Sequence, residues 1–594
     1  MKKHLFRLHL GIVVILSIPT ILPLFHDGFF PMHDDTQVVR VQQMSEALYD
    51  GQFPVRWVKD LGYGYGYPIF NFYAPLPDYI GSLFDLFGFS PLAATKIMIG
   101  IGMVLAAVSM YLLGAKLWGP WGGVISSIAY QYAPYHAVQL FVRGAIGELY
   151  AYAFVPLAVY GFVLLFTDKQ RVRLGLLCGV SGYAGIILSH NITALLFTLM
   201  LGIVGLIGII SGKRWQTIRK EWKWFIAILL FAFGMSAFFW LPAIAEKDVT
   251  VVDQITKGGS DYHLHFLYLD QLWDSPWGFA GSAAGRADGM SFKIGKVHVL
   301  LGLLGFTVAF WSYLGVLGLS EQAIRKNKKW LDYIYISAQS GNILIWLTVG
   351  LLLFSIIMTL EVSTFIWESI PILSYVQFPW RFLVFIMFFV SIFIGGITVR
   401  NKDKSDRLLA ITTISVLFLV GINVKYFRPQ EFYRFERKEY EDETFIKWEQ
   451  SKISDEYLPK GFYPPTRKDQ IALQKFDIKP PAVIESQLIK SNRQKAVVTT
   501  SLPATLIANT VYFPGWKVRI DNKEYIPSTM NGIMTIPLIP GTHEVELFFT
   551  NTPVRIVANL LSLFSLVALF GTIRKITKVP YAKKTLGRDS HSRV

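Results

Sequence analysis

The chain has 594 residues, of which 53% are hydrophobic and only 16% charged, against about 25% charged in soluble domains. Its mean hydropathy is +0.41, and runs of about 20 apolar residues recur along most of its length, the pattern of a polytopic α-helical membrane protein. The net charge of +16 does not point to nucleic acid, because lysine and arginine gather in short segments between apolar runs, at 169–173, 213–223, 325–329, 400–407 and after Arg574. Such clusters follow the positive-inside rule and meet anionic headgroups. The single cysteine, Cys178, excludes a disulfide framework and a cysteine metal site.

Taken in order, residues 5–24 form a first span behind Lys2 and Lys3. The basic start resembles a signal peptide, but no small-x-small cleavage site follows, so the span is expected to be retained. With the basic segments placed in the cytoplasm, further spans fall at about 93–113, 122–133 and 150–166, then in a hairpin tipped by Ser189-His190-Asn191. The rest fall at about 225–244, 297–319, 343–360, 382–399, 408–426 and 556–573. That makes twelve across the plasma membrane, with both termini cytoplasmic. Residues 1–426 form the transmembrane domain with outer loops 25–90 and 246–296, residues 427–553 an extracytoplasmic domain, and 554–594 the last span and a basic tail. From about Ala496 the hydrophobic period switches to two, broken by Pro514-Gly515, Asp521-Asn522, Asn531-Gly532 and Pro540-Gly541. Short alternating strands punctuated by turns indicate an antiparallel β-sandwich.

The unusual polar residues fall on the outer side. His33, Asp34 and Asp35 stand where the first span gives way to a loop, and carboxylates at the lip of a bilayer are costly to bury. The same loop carries Arg40 and a tyrosine–glycine stretch from Gly62 to Pro68, then Tyr73. Tyr67 and Tyr73 belong to an aromatic, flexible surface that can stack on a sugar ring, or to an interfacial belt. His136, Arg143 and Glu148 follow, and the last two are not spaced as an ideal helical ion pair. His190 tops the hairpin as a site residue or as an interfacial histidine. His263-x-His265 alone is a weak metal signal. Gln377 and Arg381 open the span at 382–399, where the arginine binds either lipid phosphate or a substrate phosphate. No P-loop, Gly-x-Ser-x-Gly elbow or His-Glu-x-x-His helix occurs.

An acidic pair at the start of the first outer loop resembles the GT-C class of membrane glycosyltransferases. His33-Asp34, the segments 51–57 and 62–68, Phe72-Tyr73-Ala74-Pro75, Arg143-Gly144 with Glu148, Ser189-His190, the segment 377–381 and Pro514-Gly515-Trp516 are similar to bacterial YfhO-like membrane proteins. They are similar too to those described as 6-pyruvoyl-tetrahydropterin synthase-related. The resemblance implies transfer of a sugar from a polyprenyl-phosphate donor to a cell-envelope glycan, lipid or protein acceptor on the outer face, with no nucleic acid involved. The family's acidic position falls on Asp34, with Asp35 an extra carboxylate. The pterin label would imply a zinc enzyme with a histidine triad, of which only His263 and His265 are a partial echo.

The residues support a single inverting displacement. A carboxylate, Asp34 with Asp35 and His33 beside it, takes the proton of the acceptor hydroxyl. Arg143 or Arg381 stabilises the leaving phosphate, with Glu148, His190, Gln377, Tyr73 and Tyr67 as further substrate contacts. No cofactor is required, although Asp34 and Asp35 together suit Mg²⁺ or Mn²⁺. A lipid-linked sugar flippase would need polar residues deep inside spans, and a non-catalytic envelope-assembly protein would tolerate loss of the first-loop carboxylates.

Overall fold

The computed structural model describes residues 2–210, 222–316, 343–401, 405–434 and 442–576. Most of the basic segments at 213–223 and 325–329, and the tail from 577, lie outside the described residues. The longer helices are α1 (Lys2–Ile21), α2 (Gln37–Tyr49), α3 (Leu76–Leu86), α4 (Pro91–Trp118), α5 (Pro120–Gln131) and α6 (Pro134–Phe141). Then come α7 (Ile146–Thr167), α8 (Val172–Ser189), α9 (Asn191–Ile210), α10 (Trp222–Met235) and α11 (Ala237–Ala245). The last are α12 (Lys296–Val316), α13 (Ile343–Thr359), α14 (Leu383–Gly395), α15 (Ser405–Asn423) and α16 (Pro553–Ile576).

Among the described residues seven helices are long and apolar enough to cross a membrane, and α10 with α11 makes an eighth bent by 69°. Twelve uniform spans are therefore not what these residues form. The expected span at 122–133 is α5, with 12 residues, about 18 Å against a hydrocarbon core of ~30 Å. It stops because Pro134 starts a new helix and forces Ala133 into an extended conformation. The expected span at 225–244 breaks at Ser236, whose hydroxyl donates back to the Ala232 carbonyl at 2.7 Å, a recognised cause of kinks. The segment Pro379–Val399 is 94% buried and lies at the heart of the bundle, whereas α1, α15 and α16 bury under a third of theirs and leave apolar side chains outward. Helices α7 and α8 meet through small residues. A Cβ on Gly161 would lie 2.1 Å from the Gly179 nitrogen, so any larger side chain would force the pair apart.

The loop 25–90 is not a flexible aromatic surface. It contains α2 and α3, and its tyrosine–glycine stretch is a buried turn in which Gly62, Tyr63, Gly64 and Gly66 all have positive φ. Gly66 is required twice over, by its φ of +85° and by Trp57, whose ring would meet a Cβ at 2.4 Å. The turn holds the C-terminal region. Val511 N–H donates to the Tyr65 carbonyl at 2.9 Å, Tyr457 N–H to the Tyr67 hydroxyl at 3.0 Å, and Trp57 packs edge-on to Trp516. Tyr67 is buried and engaged in that joint, which removes it from the substrate contacts.

The C-terminal region has two antiparallel sheets. One has the order β1 (Phe476–Lys479), β4 (Ala504–Val511), β8 (Ile533–Leu538), β7 (Ser528–Met530). The other runs β2 (Val483–Ile489), β3 (Arg493–Thr500), β9 (Gly541–Phe549), β5 (Trp516–Ile520), β6 (Lys523–Tyr525). Leu506, Met534 and Ile536 of the first join Val498, Val518 and Leu547 of the second in the same core. Strands begin at Phe476 rather than near Ala496 because β1 and β2 are edge strands. Edges carry charged, exposed residues that hide the alternation.

A buried ion pair ties α16 to this assembly. Glu246 accepts from Arg555 Nε at 3.0 Å, Asn71 Nδ2 at 2.8 Å and Thr552 Oγ1 at 2.7 Å. Arg56 binds the same Asn71 through Nη1 at 3.1 Å and reaches Asn559 of α16 at 3.0 Å. Glu246→Gln would leave two buried arginines without a carboxylate. The expected cost is about 3–5 kcal/mol, read as a lower midpoint in thermal unfolding of the detergent-solubilised protein. An unchanged midpoint would show that the pair does not secure α16.

Candidate active site

The turn His33-Asp34 is stapled to the α6–α7 junction. His33 N–H donates to the Val142 carbonyl at 3.1 Å and Asp34 N–H to the Arg143 carbonyl at 3.0 Å. Gln37 Nε2 donates to the carbonyls of Asp34 at 3.0 Å and Gly144 at 2.7 Å. The His33 ring donates from Nε2 to the Phe279 carbonyl at 3.0 Å, joining loop 246–296 to the same turn. His33 is thereby a positioning group.

Arg143 and Glu148 do form an ion pair, at 2.9 Å. Helical spacing does not apply between them because Gly144, at a φ of +65°, turns the chain between α6 and α7. A Cβ there would strike Met32 Sδ at 2.3 Å. Glu148 Oε1 also accepts from the Tyr135 hydroxyl at 2.6 Å and Gln139 Nε2 at 3.1 Å. Glu148 is fully engaged and buried, so it orients Arg143 rather than meeting a substrate. The Arg143 guanidinium lies 4.6 Å over the Trp380 ring.

Two more arginines face Asp34. Arg40, on α2, lies 4.1 Å over the Tyr73 ring and donates from Nη2 to Ser454 Oγ at 3.1 Å. Arg381, at the head of α14, donates from Nη1 to the Val376 carbonyl at 3.1 Å. Among the described residues neither makes an ion pair within 4 Å, and the Nε–H of each is buried without a hydrogen-bond partner. Asp34 is exposed and lies within electrostatic reach of Arg40, Arg143 and Arg381. Gln377, at a φ of +64°, donates to the Ile255 carbonyl at 2.9 Å and supports Arg381, so it too is a positioning residue.

The remaining groups set the charge of this cluster. Burial pushes Asp78 up to about 7 against the pull of Arg40. It raises Glu456 as well, and both carboxylates lie within electrostatic reach of Arg40. His190 Nδ1 accepts from Thr193 N–H at 3.2 Å, which leaves Nε2 as the protonated nitrogen. Burial holds His190 down to about 3 despite Glu148 nearby, so it is a neutral donor. The cluster therefore brings together one exposed carboxylate, guanidinium groups of which two have an unpartnered Nε–H, and a neutral imidazole: a combination able to accept a proton and to bind an anion.

Asp35 differs from its neighbour. Its Oδ2 accepts from the Tyr433 hydroxyl at 2.6 Å, and burial pushes it up to about 6 against that bond. Among the described residues no three histidine, cysteine, aspartate or glutamate side chains converge to hold a metal ion. His263 is taken by Asp261 at 2.7 Å, and His265 by Ser282 and the Gly259 carbonyl, so His-x-His is not a ligand pair. Sequence reading missed Asp78, Tyr433, Ser454 and Glu456 and gave Gln37 no role. Gln37, three residues beyond Asp34, was the one local signal.

Residues 70–266 match a family model described as 6-pyruvoyl-tetrahydropterin synthase related domain, membrane protein. The segment takes in Tyr73, Asp78, Arg143, Glu148 and His190, and leaves Asp34, Arg381 and Glu456 outside. An uncharacterized protein of Lactococcus lactis subsp. cremoris is 25% identical over 252 residues, 41% of this chain and 40% of that protein. Among solved structures, arabinofuranosyltransferase AftD from Mycobacteria aligns over 73% of this chain and 28% of its own, with 11% identity and a TM-score of 0.42. The oligosaccharyltransferase of Archaeoglobus fulgidus aligns over 79% of this chain and 59% of its own, with 14% identity and a TM-score of 0.41. The chain thus spans less than two thirds of the length of each of these proteins.

Because the fold favours protonated Asp35, its contribution to stability is full below the ordinary carboxylate value of 3.8 and is lost as pH rises through about 6. Asp35→Asn keeps a polar side chain with no proton to lose. Unfolding midpoints between about pH 4 and pH 7 should fall for the wild type relative to the variant; parallel curves would refute this assignment.

Proposed function

We propose that the protein is an inverting membrane glycosyltransferase of GT-C type that moves a sugar from a polyprenyl-phosphate donor to a cell-envelope acceptor on the extracytoplasmic face. The observation that carries this reading is the exposed Asp34 carboxylate set against Arg40, Arg143 and Arg381, two of which have buried, unpartnered Nε–H donors. A lipid phosphate supplies the anion that those donors lack, and a lipid tail fits a site built at the end of an apolar bundle. The motif resemblance and the match of a membrane-protein family over residues 70–266 support the same reading.

In this mechanism Asp34 accepts the proton of the acceptor hydroxyl as its oxygen attacks the anomeric carbon. The bond from that carbon to the phosphate oxygen breaks on the opposite face, and its electron pair leaves with the lipid phosphate. Arg381 and Arg40 take up the developing charge, Arg143 adds to the field, and the His190 Nε2–H donates to a substrate oxygen. Tyr73 offers a sugar its ring edge, its face being covered by Arg40. Asp35 and His33 hold the turn. No step is routed through a metal.

Asp34→Asn should lower turnover of a polyprenyl-phosphate sugar by roughly 10²–10⁴-fold while donor binding persists through the arginines. Wild-type turnover from the purified variant would remove the catalytic assignment and favour an assembly role. The proposed orientation has its own test. Asn522 lies in the exposed turn between β5 and β6, and the chain's one cysteine, Cys178, is half-buried in α8. A cysteine at Asn522 should react with a membrane-impermeant maleimide on intact cells. Labelling only after lysis would place the C-terminal sheets on the cytoplasmic side.

A further inference from the structure

A second constellation lies at the lip of the membrane, where the C-terminal end of α15 meets the approach to α12. The apolar span that contains α15 runs from Asp406 to Tyr426, and Lys293 stands shortly before α12 begins at Lys296. Between them Trp277 and Tyr426 stack with ring centroids 4.6 Å apart. Two ammonium groups converge on the same tyrosine: Lys293 Nζ lies 4.7 Å and Lys425 Nζ 5.2 Å from its ring centroid. Lys425 is exposed and Lys293 half-buried. Among the described residues neither makes an ion pair. Asp274, whose charge reaches Lys293, is itself paired with Lys296 at 2.6 Å.

Lys293 belongs to the hairpin that carries the acceptor of His33. Its Nζ and Ser291 Oγ both donate to the Ser275 carbonyl, at 3.1 and 3.0 Å, and Ala280 N–H donates to the Gly289 carbonyl at 3.0 Å. The Phe279 carbonyl of the same hairpin accepts from His33 Nε2. Toward α15 the hairpin is joined by ring contacts: among the described residues no hydrogen bond or ion pair links 275–293 to 423–428. A pair of stacked rings tolerates sliding, and two unpaired cations on one ring repel each other. They stand at most about 10 Å apart, on flexible four-carbon stems that one headgroup can draw together. An anion accepting from both removes the repulsion and ties the hairpin to the helix. At the lip of a bilayer the anion at hand is a lipid phosphate, which lysine reaches along its apolar stem while tryptophan and tyrosine sit at headgroup level.

We propose that Lys293 and Lys425, with Trp277 and Tyr426, bind the headgroup of an anionic membrane phospholipid, which clamps the hairpin 275–293 to α15. The site is separate from the proposed donor site and its test reads no transfer activity, so it fails or succeeds apart from the glycosyltransferase reading. Hydrogen–deuterium exchange is measured on the full-length protein in nanodiscs of phosphatidylcholine alone, and of phosphatidylcholine with roughly a third phosphatidylglycerol. Phosphatidylglycerol should slow exchange severalfold in peptides covering 275–293, where the amides of Ala280 and Gly289 report on the hairpin. Lys293→Gln and Lys425→Gln should each remove most of that slowing, and Lys425→Arg should keep it. Lys425 is exposed and makes no hydrogen bond or ion pair among the described residues. Lys425→Gln therefore reports on lipid charge even if Lys293→Gln loosens the Ser275 contact. Glycerol phosphate at millimolar concentration, added to the phosphatidylcholine discs, separates a free anion from a lipid and should change nothing. Equal exchange in the two kinds of disc, slowing that survives in Lys425→Gln, or slowing produced by glycerol phosphate alone would each overturn the proposal.

Discussion

Two backbone hydrogen bonds and one glutamine amide hold the first loop against the α6–α7 junction, and the placing of Asp34 beside Arg143 depends on that attachment. Asp34 and Arg143 do not meet through their side chains alone. The Asp34 amide is bonded to the Arg143 carbonyl, and Gln37 bridges both strands of the contact. Carboxylate and cation are thus tied to one another through the backbone. Tyr135, Gln139 and Glu148 then fix the Arg143 guanidinium from behind, so the interior supplies the compensation that a buried cation demands.

The acidic pair shows how environment divides like groups. Asp34 opens toward arginines and solvent, while Asp35, one residue on, turns to the Tyr433 hydroxyl and is largely desolvated. The division is made by a residue 398 positions further along the chain, whose backbone pairs with Phe29. Arg40 and Arg381 are held differently. Each is anchored by one or two neutral oxygens and an aromatic face, which fixes direction without cancelling charge. The phosphate site proposed above needs both properties.

Much of this was legible in the sequence. Apolar runs of membrane length marked most of the helices, and the alternating runs from Ala496 with their turn residues marked the sheets. The candidates Asp34, Arg143, His190 and Arg381 do converge, although nothing in their spacing required it. Three kinds of information were hidden. Helix continuity at Ala133 and Ser236 depends on a following proline and on a back-bonding serine, local effects that a hydropathy window averages away. The tyrosine–glycine stretch reads as flexible by composition, yet its glycines serve a tight buried turn that only the partner segments reveal. Asp78 and Glu456 are ordinary acidic residues until the fold sets them around Arg40, and no local pattern announces such a meeting.

The bond from Arg40 to Ser454 spans 414 residues, and this has a bearing on biosynthesis. At ~5–20 residues per second, that interval corresponds to on the order of 20–80 s of translation. During it the first loop waits in or near the insertion machinery with Arg40 lacking its hydroxyl partner, Asp35 lacking Tyr433 and Tyr67 lacking the Tyr457 amide. The first loop is therefore completed only after residues 433–457 have been made, and a polypeptide released before then presents an unfinished first loop for quality control to recognise.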